Sequence, residues 1–158
     1  MKFENSCVIA VPCSSLWDYM AVIPNVATCL PGVEEVNALE DGIFAGTLAA
    51  KIGIVKMRLS GKISIELMDQ EHHLAIMAVQ AAEQRISGLI QGKLTMHLEE
   101  LTAQQTKLTV QTDLSLFGKI GEFGQSIIKK KADQMMAEFA RNVAVGVAEA
   151  LKFSPRMP

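Results

Sequence analysis

The last third of the chain limits what the rest can be. From Gly118 to Lys152 it runs without a proline, and Ile120, Phe123 and Ile127, then Ala132, Met135, Phe139 and Val143, recur at helical spacing. At about 1.5 Å per residue such a helix is a rod about 50 Å long. A rod with one apolar stripe needs a broad apolar surface to lie on, and the preceding residues have to supply it.

The stripe is not straight. At 100° per residue, Ile120, Phe123 and Ile127 centre on one direction, and Ala132, Met135, Phe139 and Val143 centre roughly a third of a turn away. The change falls at Lys129-Lys130-Lys131, so the helix bends there or passes from one packing surface to another. Gly118, Gly121 and Gly124 thin its first turns, each at a cost of about 1 kcal/mol relative to alanine. Two readings of those glycines stand side by side: close packing of helix on sheet, or room kept for another molecule.

The chain before the helix changes period. Met1 to Val11 reads as a strand ended by Pro12. Cys13 or Ser14 caps a short helix carrying Leu16, Trp17 and Met20. Pro24 opens a second, Asn25 to Cys29, closed by Leu30-Pro31-Gly32. Val33 to Leu39 then reads as a strand, with a turn at Glu40-Asp41-Gly42. Phe44, Gly46, Leu48, Ala50 and Ile52 alternate with their neighbours. Beyond Gly53, Val55, Met57, Leu59, Gly61, Ile63, Ile65 and Leu67 share one side and Lys56, Arg58, Ser60, Lys62, Ser64 and Glu66 the other. Leu74 to Ala82 is apolar at both parities, so its inward face is open; the outer residues, Ala75, Met77 and Val79 or their neighbours, would form a patch for self-association into a homo-oligomer or for docking. Leu94, Met96 and Leu98, then Leu108, Val110, Thr112 and Leu114, mark two further strands. Short turns between successive strands argue an antiparallel meander with one wet face, in an α+β domain spanning 1–158.

Composition excludes several functions. A net charge of -2 gives no ground for nucleic-acid binding. No apolar run nears the ~18 residues of a membrane span, and the N-terminus lacks a signal-peptide core, which leads to the expectation of a cytoplasmic protein without a stable membrane anchor. Cys7, Cys13 and Cys29 form no Cys-x-x-Cys pair and His72, His73 and His97 do not group with them, so reduced structural thiols and no metal are expected. The three adjacent lysines spread over most of a helix circumference and read as a solvated face, with contact to anionic lipid as the alternative.

Trp17-Asp18, Leu30-Pro31-Gly32-Val33, the stretch with Gly46, Lys51, Gly53, Lys56 and Gly61, and Gly118, Gly121, Gly124-Gln125 and Phe139 occur in an order that resembles the G-subunit family of the carbon monoxide dehydrogenase gene cluster. That family belongs to the START/Bet v 1-like (SRPBCC) superfamily. The resemblance covers nearly the whole chain. It implies a helix-grip fold: a seven-stranded curved antiparallel sheet, two short helices and one long C-terminal helix, around an apolar cavity. It also implies a link to the assembly, or the membrane and quinone coupling, of molybdenum-containing dehydrogenases. Some members carry a C-terminal extension toward the membrane, and the sequence as far as Pro158 leads to the expectation that this one does not.

Catalysis needs a titratable group inside the cavity. Under the parity above, Thr112 is the only polar member of the inward set. His97, Glu66 and Asp113 fall on the wet face, His72-His73 at a solvated turn, and Glu83, Gln84 and Arg85 in a charged loop at the cavity mouth. No nucleophile elbow or phosphate loop appears. The expectation is a protein without catalytic residues or a cofactor. It would bind a lipid- or quinone-like molecule between the sheet and the first half of the long helix, through Leu48, Leu59, Ile63, Met96, Phe117, Phe123 and Ile127. It would serve as an accessory or maturation factor. The alternative is a polyketide cyclase- or hydrolase-like enzyme with polar groups at the cavity rim.

Overall fold

The structure, a computed structural model, describes residues 1–153. The elements run β1 (Lys2–Ile9), α1 (Cys13–Met20), α2 (Ile23–Cys29), β2 (Val33–Glu40), β3 (Ile43–Ile52), β4 (Val55–Asp69), β5 (Leu74–Glu83), β6 (Gly88–Thr102), β7 (Gln105–Gly118), a 3-10 turn (Lys119–Glu122) and α3 (Gln125–Phe153). The seven strands form one antiparallel sheet in the order β1-β7-β6-β5-β4-β3-β2. β2 to β7 are a meander, each strand bonded to the next through a short turn. β1 instead pairs with β7, from Lys2 opposite Asp113 to Ile9 opposite Thr106. The helix grip implied by the resemblance is therefore present.

Strand pairing assigns every inward face, including that of β5. Ala75 lies opposite Met96, Met77 opposite Leu94 and Val79 opposite Gly92, so these three face the concave side. Leu74, Ile76 and Ala78 take the convex side, where the apolar patch expected of this strand lies. A register shift between Ile65 and Leu67 in β4 turns Leu67 outward, opposite Ile76, and brings Met68 opposite Ala75. The alternation expected to run unbroken to Leu67 thus ends at this bulge, where one extra residue flips the parity.

The long helix starts later than its periodicity suggests. Gly118 has φ +74, and a Cβ there would collide with the Ser87 carbonyl oxygen, so the chain leaves β7 by a turn that only glycine makes without strain. Lys119–Glu122 is a 3-10 turn whose Ile120 is buried beside Gly88, and Phe123 is extended. Only at Gln125 does the α-helix begin, 29 residues and about 43 Å long. The shift in the stripe has its explanation here, because Ile120 and Phe123 do not belong to the helix that carries Phe139 and Val143.

α3 packs along β1 and against α1 and α2. Its buried stripe is Phe139, Val143 and Val147, spaced four apart, with Met136, Ala140 and Ala144 beside it. These meet Ile9, Leu98 and Leu108 from the sheet and Leu16 and Trp17 from α1 in one core. Side-chain amides tie the flanks. Gln125 Nε2 donates to the Lys2 carbonyl at 2.8 Å and Asn142 Nδ2 to the Cys29 carbonyl at 2.9 Å. Buried Asn5 donates to Asp133. Among the described residues Asn5, Glu83, Thr106 and Thr112 are the buried polar ones, where only Thr112 was expected to face inward. Each has a partner or is not orphaned, as burial in a low-dielectric interior demands.

Candidate functional site: an apolar cleft and a cationic pocket

The concave face is only half covered. Beyond the reach of α3, the strands β2 to β5 curve under α2 and leave an apolar cleft of about 280 Å³. Ile23 and Val26 of α2, with Leu30 just beyond its end, form its roof. Phe44, Leu48, Leu59 and Ile63 form its walls, with Val79, Leu94 and Leu114 toward the middle of the sheet. Its floor is made of small residues in register: Gly46 lies opposite Gly61, and Gly61 opposite Ala81. At Gly61 the neighbouring strand comes so near that a Cβ would strike the Gln80 carbonyl oxygen and sit 2.6 Å from the Ala81 Cα. Tight curvature and missing side chains at the same row leave the space open.

Three of the residues expected to surround a ligand, Leu48, Leu59 and Ile63, line this cleft. The other four do not. Met96 shares their inward parity but is buried in the core under α1 and α3. Phe117 lies on the convex face opposite Leu89, half exposed, one residue out of phase with the inward Leu116. Phe123 occupies the extended link before α3, and Ile127, in its first turn, is half exposed. The expected position between the sheet and the first half of the helix is likewise corrected, since no α3 residue lines the apolar cleft. The helix-start glycines do not make the space either, and a Cβ on Gly124 would meet nothing within 4 Å. Sequence reasoning missed the α2 roof and the Gly46–Gly61–Ala81 floor. The signal for the floor was present as small residues at inward parity in two neighbouring strands.

A second space, of about 490 Å³, adjoins the first. On β3 and β4 the inward pair Leu48–Leu59 faces the apolar cleft, and the next inward pair, Ala50–Met57, faces this pocket. Leu30 and Val33 line the former, and Pro31 and Gly32 between them line the latter. Here α3 does take part, through Lys131, Gln134, Met135 and Glu138. Lys51, Lys56, Arg58 and Arg85 complete a cationic rim. Arg58 is paired with Glu34 at 2.7 and 3.0 Å, a partner that pushes its guanidinium pKa further up. Buried Glu83 accepts the backbone N–H of Arg58 and, at 2.7 Å, that of Arg85. The expected charged loop at the mouth is thus split: Arg85 lines the opening and Glu83 anchors it from within.

The lysine run divides as well. Lys129 pairs with Asp133 at 3.6 Å, Lys130 is exposed, and Lys131 lines the pocket. A solvated face describes Lys130 but not its neighbours.

Titratable groups in the apolar cleft are confined to its edge. Glu35 and Lys62 contribute to the lining from outward-facing positions and are exposed. Among the described residues a thiol–imidazole pair lies elsewhere, at the filled core, with Cys13 Sγ 3.3 Å from His73 Nδ1. His73 also packs against Trp17, ring centroids 5.4 Å apart, rather than sitting in solvent as its turn suggested. Burial pushes the Cys13 thiol up, away from the thiolate that nucleophilic chemistry needs. Among the described residues no group of three or more His, Cys, Asp or Glu is placed to hold a metal ion, and no helix is long and apolar enough to cross a membrane.

The family model of the carbon monoxide dehydrogenase G-subunit (CoxG) matches residues 6–148. The chain belongs to the CoxG family. No curated protein sequence matches it. Among solved structures, a conserved protein from Geobacillus kaustophilus superposes with a TM-score of 0.83 at 15% identity, over 95% of this chain and 97% of that one. The Zhui aromatase/cyclase from Streptomyces sp. R1128 gives 0.62 at 15% identity, over 99% of each chain. A START superfamily protein from Mycobacterium smegmatis gives 0.65 at 10% identity, over 94% of this chain and 97% of that one. At such identities the likeness is one of fold, and the fold is START-like.

Proposed function

We propose that this CoxG-family protein takes up a hydrophobic small molecule, lipid- or quinone-like, in the cleft between α2 and β2–β5, and carries or presents it without altering it. In this reading it serves a molybdenum-containing carbon monoxide dehydrogenase-type enzyme as an accessory or maturation factor. The observation that carries the binding role is the open, apolar half of the concavity over the Gly46–Gly61–Ala81 floor. Such sites gain affinity by removing ligand carbon from water, at about 25 cal/mol per Å², and need few polar contacts. The family membership supports the accessory role. Native mass spectrometry of the protein as purified from its own host tests the first part, with a retained apolar molecule expected. Empty protein that also fails to take up Nile red would overturn it. Co-purification with a dehydrogenase tests the second.

A second reading has one observation in its favour, the shared fold with aromatase/cyclases. It would require a proton-transfer group near the bound substrate. Glu35 and Lys62 are the titratable residues at the cleft, and both sit at outward parity. Turnover of a polyketide substrate that is lost in Glu35→Gln or Lys62→Met would favour the enzyme over the carrier.

A further inference from the structure

The cationic pocket next to the apolar cleft has no role in a carrier of neutral molecules. The chain has a net charge of -2, yet five of its fifteen Lys and Arg residues line this one opening, with Glu138 the only carboxylate among the lining residues. Arg58 is matched by Glu34. Lys51, Lys56, Arg85 and Lys131 have no ion-pair partner among the described residues. Lys51, Lys56 and Arg58 stand at outward parity and, exposed like Arg85, reach the opening from its rim. Like charges gathered round an opening repel one another and focus their field on an anion that enters. Buried Glu83 accepts the backbone N–H of both Arg58 and Arg85, so these two guanidiniums leave the chain from anchored positions.

We infer that the occupant of the cleft is an anionic amphiphile. Its carboxylate or phosphate head sits among Lys51, Lys56, Arg85 and Lys131, and its apolar chain lies over the Gly46–Gly61–Ala81 floor. This rests on the cleft being a binding site, as proposed above, and adds the chemistry of the head. The contiguity is structural. The same two strands present Leu48 and Leu59 to the tail and Ala50 and Met57 to the head, and the Leu30–Val33 turn borders both spaces. The two volumes together fall within the roughly 300–1,000 Å³ of small-molecule sites. A guanidinium and ammonium groups suit either oxyanion, so the head is named by class.

Displacement of Nile red by dodecanoate, dodecyl phosphate and dodecanol, which share one chain, tests the inference on the full protein at low and high salt. Both anions are expected to bind about tenfold or more tightly than the alcohol at low salt, with the gap narrowing as salt rises. The tighter of the two anions identifies the head. In the double variant Lys56→Glu, Arg85→Glu, at two exposed positions, the preference should vanish, with the anions falling to the level of the alcohol. Equal binding of all three by the parent protein would overturn the anionic head and leave the apolar site standing. No displacement by any of them, after Nile red itself fails to bind, would overturn both. A preference that survives charge reversal would place the head elsewhere and also defeat the inference.

Discussion

The two halves of one sheet have been finished differently. Where β1, β7 and the distal part of β6 lie under α1 and α3, Ile9, Leu98 and Leu108 are at most 3% exposed and meet Phe139, Val143 and Trp17. Across β2 to β4 the same period-two alternation presents Phe44, Leu48, Leu59 and Ile63, yet all four remain partly exposed. What differs is the partner. The first half receives a 29-residue helix with a stripe of large side chains, and the second the seven-residue α2 over a floor of Gly46, Gly61 and Ala81. An apolar strand face therefore becomes core or binding surface according to what is laid on it.

The largest effect should separate the halves outright. Phe139→Ala removes a fully enclosed ring and is expected to cost about 3–5 kcal/mol in urea unfolding, whereas Leu59→Ala, already open to the cleft, should cost about 1 kcal/mol. Equal losses would mean that the cleft is packed.

Overpacking gives the converse test on a single strand. Ala75 and Ala81 both face inward from β5, but Ala75 is 2% exposed in the core and Ala81 lines the cleft. Ala75→Leu should lose about 1–3 kcal/mol. Ala81→Leu should change stability by less than about 0.5 kcal/mol and block Nile red uptake. A destabilised Ala81→Leu would remove the distinction.

The filled half should also show how little slack it has. A Cβ on Gly146 of α3 would collide with the Tyr19 hydroxyl. Alanine there improves helix propensity by about 1 kcal/mol, so any net loss in thermal unfolding measures the clash. Gly146→Ala is expected to lose about 1 kcal/mol net, and Gly146→Ala combined with Tyr19→Phe to recover part of it. A stabilised single variant would show that α1 yields.

The smallest effect is a pH dependence confined to the same half. Burial, with the Cys29 thiol 3.5 Å away, pushes the Tyr19 phenol up to about 12 from its ordinary 10. The folded protein thus holds that proton more tightly than the unfolded chain. The resulting stability is whole below pH 10 and is lost as pH rises through about 12. After allowance for the ring's partial exposure, roughly 1 kcal/mol of alkaline sensitivity should disappear in Tyr19→Phe. Ultraviolet titration of the chain's single tyrosine checks the shift directly. Titration near the ordinary value would show that α1 and α2 leave it solvated.

Strand periodicity made much of this legible in the sequence. Leu48, Leu59 and Ile63 were readable as one inward surface because charged residues alternate with them on β4, and a polar side chain on the wrong face costs more than an apolar one. The antiparallel meander was legible from its turns, and the closing helix from its stripe. Local pattern failed where it was silent or misleading. β5 is apolar at both parities, and only its pairing with Gly92 and Met96 decided that Val79 and Ala75 face inward. Ile120, Phe123 and Ile127 imitate a helical period across a chain that first turns at Gly118, so proximity in the pattern did not become proximity in space. Met96 has the same parity as Ile63, and nothing local distinguishes them. Which becomes core depends on where α3 lies. That is fixed by contacts with β1 and α1, more than a hundred residues distant in the chain, as in the bond from Gln125 to Lys2. The sequence by itself determined the inward residues of strands with one polar face, such as β4 up to its bulge, because hydrophobic burial enforces a period of two. Only the tertiary structure decided which part of that inward face is filled, because one rigid helix spans half of the concavity.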